Sequence, residues 1–221
     1  MSTQATLPPE TPAEARAGAV LCSSALFGVI YSDPPWAYNE SGGNSTNRVI
    51  SGKYPTMQIE ELCALKVPAA ENSVLFMWAT APRLPEAMQL ITAWGYRYKT
   101  HAMWDKEMVG LGYWFRGQHE LLMVALRGKM QPPPPAKRIS SVIRARRGSH
   151  SSKPDQVRDW IADWYPNERK LEMFARPYTE MWPKHDGWET WGNELPNDVA
   201  MTPNDPRERP AAGDSRKPEN L

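Results

Sequence analysis

Residues 26–36, LFGVIYSDPPW, hold an apolar run that ends abruptly in an acid, two prolines and a tryptophan. The run 26–32 has the length and composition of a buried strand, and the prolines that follow force a sharp loop. Similar runs alternate with helical patterns along the chain. We predict strands over 26–32, 74–79, 96–104, 120–126 and 169–175, and helices over 56–65, 84–94 and 154–164. This alternation predicts an α/β fold, doubly wound, with helices on both faces of a mixed sheet.

The helix ends carry their own signals. Thr56 is expected as the N-cap of the first helix, and Gly95 stands where a C-terminal cap belongs after the second. Pro154 is expected at the first position of the third helix, which places Val157 and Ile161 on one apolar face. Three of the predicted strands end in unusual residues, which suggests one shared site where strand ends meet.

Composition limits the class of protein. The 221 residues carry a formal net charge of +1, so any argument for nucleic-acid binding must be local. Cys22 and Cys63 lack zinc-site spacing. We expect a disordered N-terminal arm (1–20), one domain (21–196) and a disordered C-terminal tail (197–221). No signal pattern or membrane-length apolar run is present, which predicts a cytoplasmic protein with no membrane partner.

The DPPW stretch is the sharpest chemical signal. Pro34 and Pro35 have no N–H, so they display carbonyl oxygens beside the Asp33 carboxylate and the Trp36 indole. An aromatic amine such as that of adenine offers two N–H donors and a π-face to such an acceptor cluster. Accepting both hydrogens frees the nitrogen lone pair for attack on a methyl sulfonium, and catalysis is then mostly positioning. The alternative is a rigid turn with a packed tryptophan.

A basic segment is the second signal. Residues 121–154 contain no Asp or Glu but eight basic side chains: Arg127, Lys129, Lys137, Arg138, Arg144, Arg146, Arg147 and Lys153. With the prolines at 132–135, this predicts a projecting cationic arm that contacts a phosphate backbone. A solvated basic loop is the alternative. Residues 39–53, ending in Lys53, are a candidate mobile lid over a target base.

An ordered set of motifs extends from DPPW to the C-terminal part of the chain. After DPPW come YPTM (54–57), LFMWAT (75–80), GQHE (117–120), SSKP (151–154), RKLEMFARP (169–177) and WGNEL (191–195). Their order and spacing resemble the DPPW-type adenine methyltransferases, which include the catalytic subunit of the eukaryotic mRNA adenosine methyltransferase and many bacterial and phage members. The resemblance implies a Rossmann-like, S-adenosylmethionine-dependent methyltransferase fold in permuted order, with the catalytic motif first.

The resemblance also implies roles for single residues. Asp33 and Pro34, with Pro35 and Trp36, would form the catalytic motif that holds the target amino group beside the cofactor, and Trp36 and Tyr54 would line the adenine pocket. Phe174 and Arg176 would flank the cofactor's adenosine, Asn193 and Glu194 would bind its ribose, and His119 stands at the position of a cofactor-carboxylate ligand. Tyr178 and Thr179 depart from the His-Asn of the eukaryotic enzyme.

Together these observations predict an S-adenosylmethionine-dependent methyltransferase that modifies the exocyclic amino group of adenine in nucleic acid, without a metal. The base is expected to be flipped or single-stranded, because its amino group is paired inside a duplex. Resemblance to compact bacterial and phage members favours DNA and a bacterial or phage-infected cell, with RNA as the alternative. A homodimer, a heterodimer, and a non-catalytic nucleic-acid-binding partner of an active enzyme stay open. Lys53, Tyr54, Arg144, Arg146 and Arg147 are the expected substrate contacts.

Overall fold

A computed structural model describes residues 26–37, 56–148, 152–176, 184–192, 195–199 and 201. These residues form one seven-stranded sheet with three α-helices and two 3₁₀ turns. The strands are β1 (Phe27–Ser32), β2 (Ala69–Ala79), β3 (Arg97–Asp105), β4 (His119–Arg127), β5 (Val142–Arg144), β6 (Lys170–Met173) and β7 (Trp188–Trp191). The helices are α1 (Ile59–Cys63), α2 (Leu84–Ala93) and α3 (Gln156–Trp164), and the 3₁₀ turns are Ala81–Arg83 and Pro135–Lys137.

The strand order across the sheet is β5-β3-β4-β2-β1-β6-β7. β1 lies parallel to β2 and β6, β6 lies parallel to β7, and β3 lies parallel to β5. β4 runs antiparallel to β2 and to β3. Six strands therefore end at one edge of the sheet, where β4 begins. This edge, called the carboxyl edge below, is where open α/β sheets bind ligands.

Apolar side chains cover both faces of the sheet, because neighbouring residues of a strand point to opposite sides. Ile30 of β1 belongs to the cluster that packs on α1 and α2, through residues such as Leu62 and Leu90. Tyr31 belongs to the opposite cluster, which packs on Val157 and Ile161 of α3. The predicted mixed sheet with helices on both faces is confirmed. Among the described residues, no helix is long and apolar enough to cross a membrane.

The five predicted strands are all present, with ends shifted by a few residues. Gly95 closes α2 with φ of +79°, as expected for a left-handed cap. The first helix was predicted wrongly at its start. It begins at Ile59, and Gln58 is its cap. Gln58 and Glu61 form a capping box, in which the backbone N–H of Gln58 donates to the Glu61 carboxylate at 2.7 Å. The third helix begins at Gln156, two residues after Pro154.

The basic segment is not a projecting arm, and that prediction was wrong. Its residues 142–144 form edge strand β5, which pairs with β3. The chain before β5 is bonded to the end of α3: the Trp164 indole donates to the Lys137 carbonyl at 3.0 Å, and the Tyr165 hydroxyl donates to the Gln131 carbonyl at 3.0 Å. The aromatic face of α3 therefore holds the segment against the sheet.

Residues just after 196 contact the domain. The Asn197 side chain accepts the Gly192 N–H at 2.7 Å, and Asp198 accepts both the N–H and the hydroxyl of Thr190 at 2.9 Å. Val199 and Met201 pack on the apolar cluster that also holds α1 and α2. Val199 and Met201 therefore pack on the domain, within the range 197–221 that was predicted as a tail. The predicted arm (1–20) and the rest of the predicted tail, residues 200 and 202–221, lie outside the described residues.

Candidate active site

The DPPW loop follows β1 at the carboxyl edge. The Pro34 carbonyl accepts the Trp36 N–H at 2.9 Å, and the Pro35 carbonyl accepts the Met57 N–H at 2.9 Å. The sequence predicted two freely displayed oxygens, but each already accepts one hydrogen bond and keeps one lone pair. Trp36 is only 8% exposed and packs in the core, so little of its ring is open for stacking. The loop is a fixed part of the fold.

Asp33 is held by Lys153, a residue of the basic segment and of the SSKP motif to which no role was assigned from the sequence. Lys153 Nζ lies 2.8 Å from Asp33 Oδ2 and 3.3 Å from Glu120 Oε2, and Lys106 Nζ lies 3.4 Å from Glu120 Oε1. Four side chains thus alternate in charge along the carboxyl edge. Lys153 also lies 5.8 Å from the centre of the Trp78 ring.

The electrostatic balance keeps Lys153 charged. Burial lowers the pKa of this ammonium, but Asp33 and Glu120 together outweigh burial, and the net effect is a pKa above its ordinary value. A protonated Lys153 therefore fixes the Asp33 carboxylate at the mouth of the site. No sequence signal predicts this contact, because the two residues are 120 positions apart and meet only through the strand order.

The loops after β6 and β7 lie next to the DPPW loop. Ser32 pairs with Met173, and Met173 pairs with Trp191, so Asp33, Phe174 and Gly192 each follow one of three adjacent strands. Adjacent strands lie about 4.8 Å apart. The predicted catalytic and cofactor residues at these positions are therefore neighbours.

Phe174 has an unusual backbone. Its φ is +60°, and among the described residues only Glu107 shares a positive φ without being glycine. The left-handed conformation costs a phenylalanine about 1–2 kcal/mol, and such strain concentrates at ligand sites. The Phe174 ring meets Trp191 edge to face at 5.2 Å between centroids. The chain after β7 passes so close that a Cβ on Gly192 would lie 2.2 Å from the Ala175 carbonyl oxygen.

Two further predicted residues lie at this edge. His119 is exposed and opens β4, opposite Asp105 of β3. Asp105 accepts hydrogen bonds from the Gln118 amide at 2.8 Å and the Glu107 N–H at 2.9 Å, and these bonds hold its pKa below the ordinary value. Arg176 is exposed in the loop after β6.

The three arginines predicted to bind substrate also lie at the carboxyl edge. Arg144 lies opposite Asp105 in the register of strands β5 and β3. The backbone N–H of Arg147 donates to the Lys106 carbonyl at 3.2 Å. Arg144, Arg146 and Arg147 are exposed. Lys53, Tyr54, Asn193, Glu194, the predicted lid at 39–53, and Tyr178 and Thr179 lie outside the described residues. Within the described ranges, no group of three or more His, Cys, Asp or Glu side chains is arranged to hold a metal.

Comparison with known proteins decides the family. The sequence pattern that defines MT-A70 matches residues 27–194, from β1 through the WGNE motif. The chain belongs to the MT-A70 family. The seven-stranded sheet is accordingly an S-adenosylmethionine-dependent methyltransferase fold, and the resemblance drawn from the sequence motifs is confirmed.

Individual relatives differ in the share of their length that aligns with this chain. It is 35% identical over 195 residues to the type II methyltransferase M.MunI of Mycoplasma sp. This alignment covers 80% of this chain and 81% of M.MunI. It is 30% identical to a probable N(6)-adenosine-methyltransferase MT-A70-like protein of Oryza sativa subsp. japonica. That alignment covers 76% of this chain but only 23% of the rice protein. It is 25% identical to the human N(6)-adenosine-methyltransferase catalytic subunit METTL3, with 76% of this chain and 28% of that protein aligned. The chain thus spans about a quarter of these plant and animal relatives.

Proposed function

We propose that this MT-A70 protein transfers a methyl group from S-adenosylmethionine to the exocyclic amino group of adenine, with DNA as the nucleic acid. The observation that carries the proposal is the Asp33–Lys153 pair, 2.8 Å apart, on the DPPW loop of an S-adenosylmethionine-dependent methyltransferase fold. A carboxylate fixed by a cation at the mouth of a site suits recognition of an amine.

The carboxyl edge fits the chemistry of the proposed cofactor. S-adenosylmethionine has an adenosine, a sulfonium and an amino-acid end with one ammonium and one carboxylate. Lys153 and Asp33 offer the opposite charges that such an end requires, and Phe174, which follows the strand adjacent to that of Asp33, offers an aromatic ring. The close backbone approach at Gly192 leads directly into Asn193 and Glu194, which we assign to the ribose. When bound, the cofactor supplies an electrophilic methyl group.

The chain's own residues position the amine. Lys153 donates to Oδ2 of Asp33, which leaves Oδ1 as an acceptor. We assign Oδ1 to one N–H of the target amino group. The second N–H is assigned to the remaining lone pair of the Pro34 carbonyl. Accepting both hydrogens directs the nitrogen lone pair out of the adenine plane. The nitrogen becomes acidic only after it has gained the methyl group, and Asp33 is the nearest carboxylate to take the released proton. Asp33 therefore acts first as an acceptor.

The choice of DNA rests on the relatives. M.MunI, which this chain covers over most of its length, is named a type II methyltransferase, whereas the relatives named for adenosine methylation extend far beyond the aligned part. The exposed arginines 144, 146 and 147 suit either nucleic acid, since they would contact phosphates. RNA is the alternative substrate. The cytoplasmic location and the homodimer or heterodimer stay predictions.

The direct test is methyl transfer by the purified chain. Isotope-labelled S-adenosylmethionine is incubated with duplex DNA, single-stranded DNA and RNA of matched sequence, and the nucleosides are identified by mass spectrometry. We expect label on N6 of deoxyadenosine. Label on adenosine in RNA alone would overturn the choice of DNA. Cofactor binding without transfer to any of the three would instead support a non-catalytic nucleic-acid-binding partner.

A further inference from the structure

The loop that joins β3 to β4, residues 106–118, exposes three consecutive aromatic side chains. Tyr113 is fully exposed, Trp114 is 94% exposed and Phe115 is 90% exposed. We call these three residues the aromatic tip. Single exposed apolar residues are ordinary, but three adjacent large rings in water indicate a surface that is covered when the protein works. The proposed mechanism gives the aromatic tip no role.

The loop is closed by its own hydrogen bonds. The N–H of Gly110 donates to the Gly117 carbonyl at 2.9 Å, and the N–H of Gly117 donates to the Leu111 carbonyl at 3.0 Å. The Arg116 guanidinium donates to the Gly110 carbonyl at 2.9 Å. Gly112 permits the turn, because a Cβ there would lie 2.0 Å from the Phe115 carbonyl oxygen. The aromatic tip is thus held in place before it meets a partner, which lowers the entropic cost of binding.

The loop stands at the carboxyl edge, beside the candidate active site. Its two ends are tied together where the Gln118 amide donates to Asp105 at 2.8 Å. Two residues further, Glu120 is linked to Asp33 through Lys153. Trp114 is six residues from Glu120, so the backbone at Trp114 lies at most about 22 Å from the backbone at Glu120.

The surroundings of the aromatic tip are basic. The loop 106–118 contains two basic residues, Lys106 and Arg116, and one acidic residue, Glu107, which lies at its base away from the tip in sequence. At the base of the loop, Arg147 lines a small hollow with Met108 and Val109, and Arg144 and Arg146 lie beside it on the same edge. This charge suits a polyanion better than a second copy of a chain whose net charge is +1. Three aromatic side chains also bury roughly 450–750 Å², less than the 800 Å² or so that each partner contributes to a standard protein interface.

We infer that the aromatic tip is a stacking wedge that enters duplex DNA next to the target adenine and fills the space that the base leaves when it turns out. The inference rests on the proposed function, because only an enzyme that reaches a paired base needs such a wedge. Aromatic faces stack on any base, and apolar wedges separate base steps in other DNA-binding proteins. The neighbouring arginines would contact the flanking phosphates.

The test separates the wedge from catalysis. Trp114→Ala is compared with wild type, and Leu111→Ala is the matched control, because Leu111 is 82% exposed on the same loop but has no ring. Both side chains are exposed, so neither change should affect folding. Binding is measured with a duplex carrying 2-aminopurine in place of the target adenine, whose fluorescence rises when the base leaves the stack. The target site is first located by mapping methylated adenines in DNA from cells that express the wild type.

We expect Trp114→Ala to weaken duplex binding about 5- to 100-fold, the range for loss of one aromatic–base stack, and to abolish the fluorescence rise. Methylation of the matching single strand should change less than threefold, and Leu111→Ala should match wild type throughout. If Trp114→Ala binds and flips the duplex normally while wild type methylates adenine, the wedge is refuted and the proposed function stands. If Trp114→Ala and Leu111→Ala both convert a dimer to a monomer in sedimentation velocity, the aromatic tip is a protein interface. If wild type neither binds nor methylates nucleic acid, the proposed function is refuted, and the wedge is refuted with it.

Discussion

Replacing Lys153 by Met tests whether this cation organises the candidate active site. Its Nζ lies within 3.3 Å of carboxylate oxygens from both Asp33 and Glu120, so the two oxygens are at most about 6 Å apart. Without the cation, two negative charges at that distance repel by about 3 kcal/mol at an effective dielectric constant of 20. The Asp33 side chain is 27% exposed, and solvent screening reduces this value. We expect Lys153→Met to lower the free energy of unfolding by about 1–2 kcal/mol at pH 7.

The assay is urea unfolding, combined with single-turnover methyl transfer. Adding Glu120→Gln to Lys153→Met removes one of the two charges and should restore most of the stability without restoring transfer. Lys153→Arg keeps the charge and should stay close to wild type in stability. A Lys153→Met protein as stable and as active as wild type would refute the reasoning, and so would a double variant that is no more stable than Lys153→Met alone.

The other predictions concern Asp33, the ribose site, the arginines and the C-terminal contacts. Asp33→Ala should abolish single-turnover transfer while Asp33→Asn, which keeps an acceptor oxygen, retains a rate reduced about 10²-fold; equal inactivity of two variants that bind cofactor would show that the carboxylate charge itself is required. Glu194→Ala should weaken S-adenosylmethionine binding at least about tenfold in calorimetry, the cost of losing one charged hydrogen bond, and unchanged affinity would remove Glu194 from the site. Replacing Arg144, Arg146 and Arg147 by Gln should weaken binding to all DNA sequences and reduce the slope of log affinity against log salt by about two to three; a wild-type slope would exclude phosphate contact. Ending the chain at 196 rather than at 201 should cost about 2–4 kcal/mol of unfolding free energy, since Val199 and Met201 lose apolar contacts and Thr190 loses its Asp198 acceptor. Burial raises the pKa of Asp198, but hydrogen bonds from Lys184 and Thr190 outweigh it and lower the pKa, so the part due to Asp198 should be present above about pH 4 and disappear as the pH falls through the lowered pKa.

Long apolar strands were predictable from the sequence, and short edge strands were not. β2 and β4 have continuous apolar runs that only burial explains, and the sequence locates both. β5 has three residues with one buried side chain, Ile143, inside a basic and proline-rich segment. β7 has four residues that alternate between buried and half-buried. Neither strand is long enough to show the two-residue alternation of a β-strand. Both form by pairing with a neighbouring strand, and the sequence alone does not identify that neighbour.

The candidate active site was predictable in its residue types but not in its contacts. The sequence placed Asp33 just after one strand and Phe174 near the end of another, predicted over 169–175, and the strand order brings those strands together. The contact of Lys153 with Asp33 and Glu120 joins three distant parts of the chain, and it follows from tertiary structure alone. The sequence also overestimated how many carbonyl acceptors of the DPPW loop are free. The Pro35 carbonyl accepts the Met57 N–H, and Met57 lies some twenty residues further along the chain, so the sequence did not predict this hydrogen bond.

The central claim is that this chain methylates adenine in DNA through Asp33. The most direct measurement is nucleoside mass spectrometry and methylation mapping of genomic DNA from methylation-deficient cells that express wild type or Asp33→Ala. We predict N6-methyladenine at one recurring sequence in cells with wild type and none above background in cells with Asp33→Ala, when both proteins accumulate to the same level. N6-methyladenine that persists with Asp33→Ala, or its absence from the DNA of cells with soluble wild type, would contradict the account.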